Sequence, residues 1–206
     1  MKKLTLLFLT LLSGGLFAQN LVRNGSLENT GNCPITDTVF SNYVNPWTFY
    51  KGDPDFYHPC GFPGSDSATN NALPFDGDGF AGIDVYGLQG VNFVREYLHG
   101  ELKKPLEEGK FYRVSFYVLP RNNDVKGDSY GINNIGMLLT DTVVDSIPPG
   151  NVIPATPQVV AKDPITQVNY WTPICGIIKA KGGERYITIG NFTQDAETDA
   201  VPLENA

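Results

Sequence analysis

From Tyr112 to Val118 the chain alternates, with Tyr112, Val114, Phe116 and Val118 on one side of an extended backbone and Arg113, Ser115 and Tyr117 on the other. A two-residue period is the signature of a half-buried strand. Phe93 to Leu102 is also rich in β-branched and aromatic residues, while Lys103 to Lys110 holds Pro105, Gly109 and two glutamates, which interrupt strands. The pattern predicts two antiparallel strands joined by a short connection, with the rest of the chain packed on them. Further strands are predicted over Asn20 to Glu28, broken by a turn-prone Asn24-Gly25, and over Phe80 to Tyr86, Ile132 to Thr140 and Gln158 to Ala161. Val168 to Ile178 and Arg185 to Phe192 read as a last pair, turned at Lys179 to Gly183, where adjacent glycines suit a hairpin. Asp141 to Pro157 reads as a long connection. No window carries a sustained helical period, so the expected class is all-β.

Composition agrees. Gly 22 and Pro 15, beside Phe 12 and Tyr 10, favour short strands and turns, and 206 residues with 41% hydrophobic content suffice for one domain with a core. Met1 to Ala18 has the layout of a secretory leader, with Lys2 and Lys3, an apolar run from Leu4 to Leu12, and Leu16-Phe17-Ala18 before Gln19. The run is short for a bilayer span, and no later segment is apolar enough to insert. The chain carries −7, and loss of Lys2 and Lys3 with the leader leaves −9, which argues against nucleic acid or anionic membrane surfaces as partners. Export makes disulfides available. Cys33 and Cys60 lie in loop-like stretches and Cys175 in a strand-like run, which pairs Cys33 with Cys60 and leaves Cys175 as a small buried apolar residue.

A resemblance rests on these residues. Leu102, Leu106, Gly109, Tyr112 and Val114-Ser115-Phe116 resemble the central strand pair of carbohydrate-binding-module-like jelly rolls with the galactose-binding-like fold. Asn20 to Glu28 resembles the opening strand of such modules, with Leu27 where phenylalanine is more usual. Together with Cys33-Pro34, Trp47, Pro54-Asp-Phe-Tyr57 and Cys60, then Gly79 to Gly82, Arg95-Glu96-Tyr97 and Tyr186 to Phe192, the order is similar to a module of exported Bacteroidetes proteins. Some of those carry a peptidoglycan-binding domain, similar to that of outer-membrane protein A, after the module. After the leader over 1–18, the resemblance implies a single jelly-roll β-sandwich over 19–206. It also implies that the acidic stretch from Thr193 to Ala206 lacks the usual closing strand, as in a piece of a longer chain, and that Glu28 lies near a structural calcium. A solvated carboxylate at a strand end is the alternative for Glu28, since calcium takes six to eight oxygens.

Catalytic chemistry finds little footing. His58 and His99 are the only histidines, no Cys/His spacing suits zinc, and Asp76-Gly-Asp-Gly79 fails the EF-hand pattern and reads as a polar turn. Gly127-Asp-Ser129 resembles the nucleophile block of lipolytic hydrolases but lies late in the chain with no Asp-x-x-His partner. The expected protein is therefore not an enzyme and needs no cofactor, structural calcium apart. A hydrolase with unidentified carboxylates is the weakest reading.

Binding has more support, because sugar rings stack on aromatic faces and their hydroxyls need planar polar partners. In the stretch from Tyr50 to His58, Asp55, Tyr57 and His58 are the candidates, with Trp47, Phe49 and Phe56 assigned to the core. Arg95 and Tyr97 would share a strand face and line a concave surface, although a structural ion pair is the better reading of Arg95; Asn123 would border the site. Asp-Ser/Thr followed by a small or apolar residue marks Thr38, Ser67, Thr142 and Ser146 as candidate O-glycosylation sites, in runs that are also ordinary turn chemistry. The expected function is a non-catalytic carbohydrate-binding or adhesion module of an exported cell-envelope protein. Its place is the periplasm, the outer-membrane surface or the extracellular space. Its partners are a glycan or envelope component and a downstream domain of the same chain. A structural spacer or protein-docking module is the alternative.

Overall fold

The computed structural model describes residues 19–33, 43–49, 52, 54–61, 72–87, 95–121, 129–144 and 152–203. These form an all-β structure of antiparallel sheets, with one short 3-10 turn at Asp195–Glu197. The strands are β1 Thr48–Phe49, β2 Asp55–Tyr57, β3 Phe80–Gly82, β4 Leu98–Glu101, β5 Phe111–Val118, β6 Tyr130–Ile132, β7 Ile135–Thr140, β8 Val159–Val160, β9 Thr172–Lys179, β10 Tyr186–Asn191 and β11 Ala200–Pro202. A five-stranded sheet runs β1-β4-β10-β7-β8, and β5-β9, β2-β3 and β6-β11 form separate pairs.

The layers form because each sheet has an apolar face to bury. β5 keeps its predicted alternation, with Phe116 buried and Phe111, Arg113, Ser115 and Tyr117 turned out. Its inner residues meet Ile174 and Ile178 of β9 and, from the five-stranded sheet, Leu98, Met137, Leu139 and Ile187 in one core that also holds Trp47 and Phe56. Gly100 in β4 has a packing reason: a Cβ there would fall 2.8 Å from the Trp47 ring. Ile135 to Leu139 is buried throughout because both faces of β7 are covered. Met137 and Leu139 join the main core, and Leu138 packs with Tyr97, Ile153 and Phe192 on the opposite side.

Both predicted hairpins are replaced by a different pairing. β4 joins β10 rather than β5, and β9 joins β5 rather than β10. Residues 103–110 and 180–185 therefore cross between layers, side by side. Leu106 N donates to Glu184 O at 2.9 Å, Gly183 N to Leu106 O at 3.0 Å and Gly109 N to Ala180 O at 2.9 Å. The exchange lets each strand face the core from its own layer, which two tight hairpins would not do. The opening strand is reduced to one bridge, Val22 to Leu102. Ala200 to Pro202, expected to lack a strand, pairs with β6. Ile132 to Thr140 is split at Asn134, whose φ of 64° takes it out of the extended region.

Candidate functional site

The stretch richest in sequence candidates is held at one end by the Cys33–Cys60 disulfide, Cα atoms 5.6 Å apart. Asp55 to Tyr57, read as irregular, is the strand β2 paired with β3. This pairing turns Tyr57 inward: it is 3% exposed, its ring stacks on Phe80 at 5.0 Å, and its hydroxyl donates to Asp55 Oδ2 at 2.8 Å. The Tyr57 ring is therefore packed inside and turned away from solvent. His58 is half-buried, and its Nδ1 accepts the Cys60 N–H at 3.1 Å.

Glu28 reaches the turn before β3. Its Oε1 accepts from Asp78 N at 3.0 Å and Gly79 N at 2.9 Å, which ties the chain's start to that turn. Glu28, His58 and Asp78 each place one donor atom within 4.8 Å of the others. As side chains they do not fit calcium, which takes six to eight oxygens, because one of the three is an imidazole and one carboxylate oxygen already serves two N–H groups.

Arg95 and Tyr97 do not line a surface. They lie just before β4, buried, and both donate to the Asn191 carbonyl. The Arg95 guanidinium pairs with the Asp195 carboxylate, and its Nη1 donates to Val85 O at 2.7 Å and Asn191 O at 3.3 Å. The Tyr97 hydroxyl donates to Asn191 O at 2.6 Å and accepts Ile153 N–H at 3.2 Å. Burial raises the Tyr97 pKa above the ordinary phenol value. These two residues hold the chain after β10 onto the sheet. On β4, His99 Nδ1 lies 2.9 Å from Thr188 Oγ1, and burial lowers its pKa to about 4.

The exposed aromatics lie elsewhere. Phe75 stacks on Tyr117 with ring centroids 3.6 Å apart and planes 17° from parallel, and they are 53% and 40% exposed. The Trp171 indole N–H donates to Leu73 O at 2.8 Å, which holds the segment before β3 against the start of β9. Tyr170, next to Trp171, is 74% exposed. Arg113, Ser115 and Tyr117 occupy the same outer face of β5, opposite Ile177, Cys175 and Pro173 of β9. Cys175 is thus an exposed free thiol and not the buried residue expected. Alternation in the sequence already placed Tyr117 outward, but nothing local signalled Phe75 as its partner.

Thr142 is exposed just after β7. Thr38, Ser67, Ser146 and Asn123 lie outside the described residues. Among the described residues no helix is long and apolar enough to cross a membrane. In comparisons with known proteins, no family model matches the chain, and neither a curated protein nor a solved structure matches it.

Proposed function

We propose that the chain is an exported, non-catalytic module that recognises glycan on the cell envelope. The observation that carries this reading is the solvent-facing Phe75–Tyr117 stack, in which the Tyr117 ring is mounted on β5 and Phe75 comes from the bend before β3. A sugar ring gains from stacking its apolar face on such a surface, and a strand-mounted ring loses little freedom on binding. Arg113 and Ser115, on the same face, supply donors for hydroxyls. The Cys33–Cys60 bridge suits an oxidising compartment outside the cytoplasm. The partner exchange at 103–110 and 180–185 favours a jelly-roll arrangement of the galactose-binding-like kind.

A glycan array probed with the protein from Gln19 onward, with and without calcium, tests the reading. The expected result is binding to a defined set of glycans that is lost in Tyr117→Ala and Phe75→Ala while both variants stay folded. Binding unchanged in both variants, or none to any glycan including peptidoglycan fragments, would overturn it. The second reading, a docking module or spacer in a larger envelope protein, draws on Phe111 and Ile177, exposed on the same face and extending its apolar surface beyond what one sugar covers.

A further inference from the structure

A second feature shares no residue with the aromatic surface. Where the opening segment meets the chain before β1, a cavity of about 360 Å³ is lined by Arg23, Asn24, Asn29, Asn45, Pro46 and Lys103, among others. That volume is at the small end of ligand pockets, which run from roughly 300 to 1,000 Å³, and suits one ring rather than a long chain.

The lining divides into scaffold and free groups. Asn24 is scaffold. Its Nδ2 donates to Asn29 O at 3.1 Å and Asn45 O at 3.2 Å, and its Oδ1 accepts Asn29 N–H at 3.0 Å. That side chain fixes the two walls against each other. The Asn29 and Asn45 amides are exposed and make no side-chain hydrogen bond among the described residues, so each offers a donor pair and an acceptor. Among the described residues Arg23 uses only Nη1, on Glu101 Oε2 at 2.6 Å, and Lys103 gives one of three donors to Asn20 O at 3.0 Å.

The charge around the cavity is opposite to that of the chain. Glu101 is shared between Arg23 and Arg185, whose Nε lies 2.8 Å from Oε1. Among the described residues the charged side chains in the lining are two cations, Arg23 and Lys103, in a chain of net charge −7. The carboxylate of the intervening loop, Glu28, is turned away into the turn at Asp78 and Gly79. Amides that both donate and accept match hydroxyls, and a guanidinium and an ammonium that each keep donors to spare match an anion.

We propose that this cavity binds an anionic sugar, with a carboxylate between Arg23 and Lys103 and ring hydroxyls on the Asn29 and Asn45 amides. The Pro46 ring supplies apolar contact to the sugar. The site stands whether or not the Phe75–Tyr117 surface binds glycan.

The test is titration of the protein at low salt with glucuronate, glucose, N-acetylglucosamine 6-sulfate and inorganic sulfate, followed by calorimetry and NMR. The expected result is binding of glucuronate about tenfold or more tighter than glucose, weakening as salt rises. It should be lost in Arg23→Gln and in Lys103→Gln, both surface changes, with melting temperature kept, and be unaltered in Tyr117→Ala. Tighter binding of the sulfated sugar than of glucuronate would keep the anionic-sugar site and overturn the carboxylate assignment. Equal affinity for glucose and glucuronate, no binding of any sugar, or inorganic sulfate binding as well as glucuronate would overturn the proposal.

Discussion

Arg95 and Asp195, one hundred positions apart in the chain, form an ion pair in which the guanidinium is 2% exposed. The pair fastens the chain beyond β10 to the segment before β4. Removing one partner of a buried pair leaves a charge without its counter-ion, and the cost exceeds the value of the pair. Asp195→Ala is expected to lower stability by about 2–3 kcal/mol, the carboxylate being partly solvated. Urea unfolding with a loss under about 1 kcal/mol would mean that the carbonyls of Val85 and Asn191 suffice for Arg95.

Acid should weaken the fold through His99. The folded protein holds this imidazole neutral down to about pH 4, against 6.5 for an unperturbed histidine. The unfolded chain therefore takes up the proton first, so stability is whole above 6.5 and declines as pH falls from 6.5 towards 4. The loss is expected to reach about 2–3 kcal/mol. Unfolding measured across that window should show the slope in the wild type and a flatter one in His99→Gln; equal slopes would place the effect on other groups.

The Cys33–Cys60 bridge closes a loop of sequence separation 27. On the chain-entropy account its removal is worth about 3–4 kcal/mol. Cys33→Ser, and the wild type under reductant, should both melt earlier by a similar amount. A drop for reductant without one for the variant would point to damage elsewhere.

Tyr57 and Tyr117 should respond in opposite ways to truncation. Tyr57→Ala opens a cavity beside Phe80 and is expected to cost about 3–5 kcal/mol, comparable to other buried aromatics. Tyr117→Ala removes an exposed ring and should cost under about 1 kcal/mol. Thermal melts of the two variants compare them directly, and similar losses would contradict the packing described for β2 and β5.

Cys175, opposite Ser115 on the outer face of β9, is open to reagent while the other two cysteines are bonded. A thiol-specific chromogenic reagent should titrate one group per folded chain and none in Cys175→Ser. No reaction until denaturant is added would put Cys175 back inside the protein.

Much of the local structure was legible in the sequence. The alternation from Tyr112 to Val118 gave the inner and outer faces of β5, because side-chain direction in a strand follows position alone. Trp47 and Phe56 are legible as core residues, and the kinds of segment that hold the three cysteines point to the pairing of Cys33 with Cys60. The candidate site was less legible. In the sequence Tyr57 and Tyr97 stand out as aromatics beside polar groups, but both rings are buried, because short polar segments around them form strands and buried hydrogen bonds through Asp55, Asn191 and Ile153.

What the sequence determined by itself was therefore the class of element and the facing of its residues, since period and turn chemistry act over a few neighbouring positions. Tertiary structure alone decided the partners: β4 with β10 and β5 with β9, Arg95 with Asp195, Phe75 with Tyr117, and the meeting of Arg23, Lys103 and Asn45 around one cavity. A strand's pattern says which face must be buried, but any edge of matching length can satisfy its backbone. The choice falls to the arrangement that buries both sheets' apolar faces at once, a property of the whole chain that no segment contains.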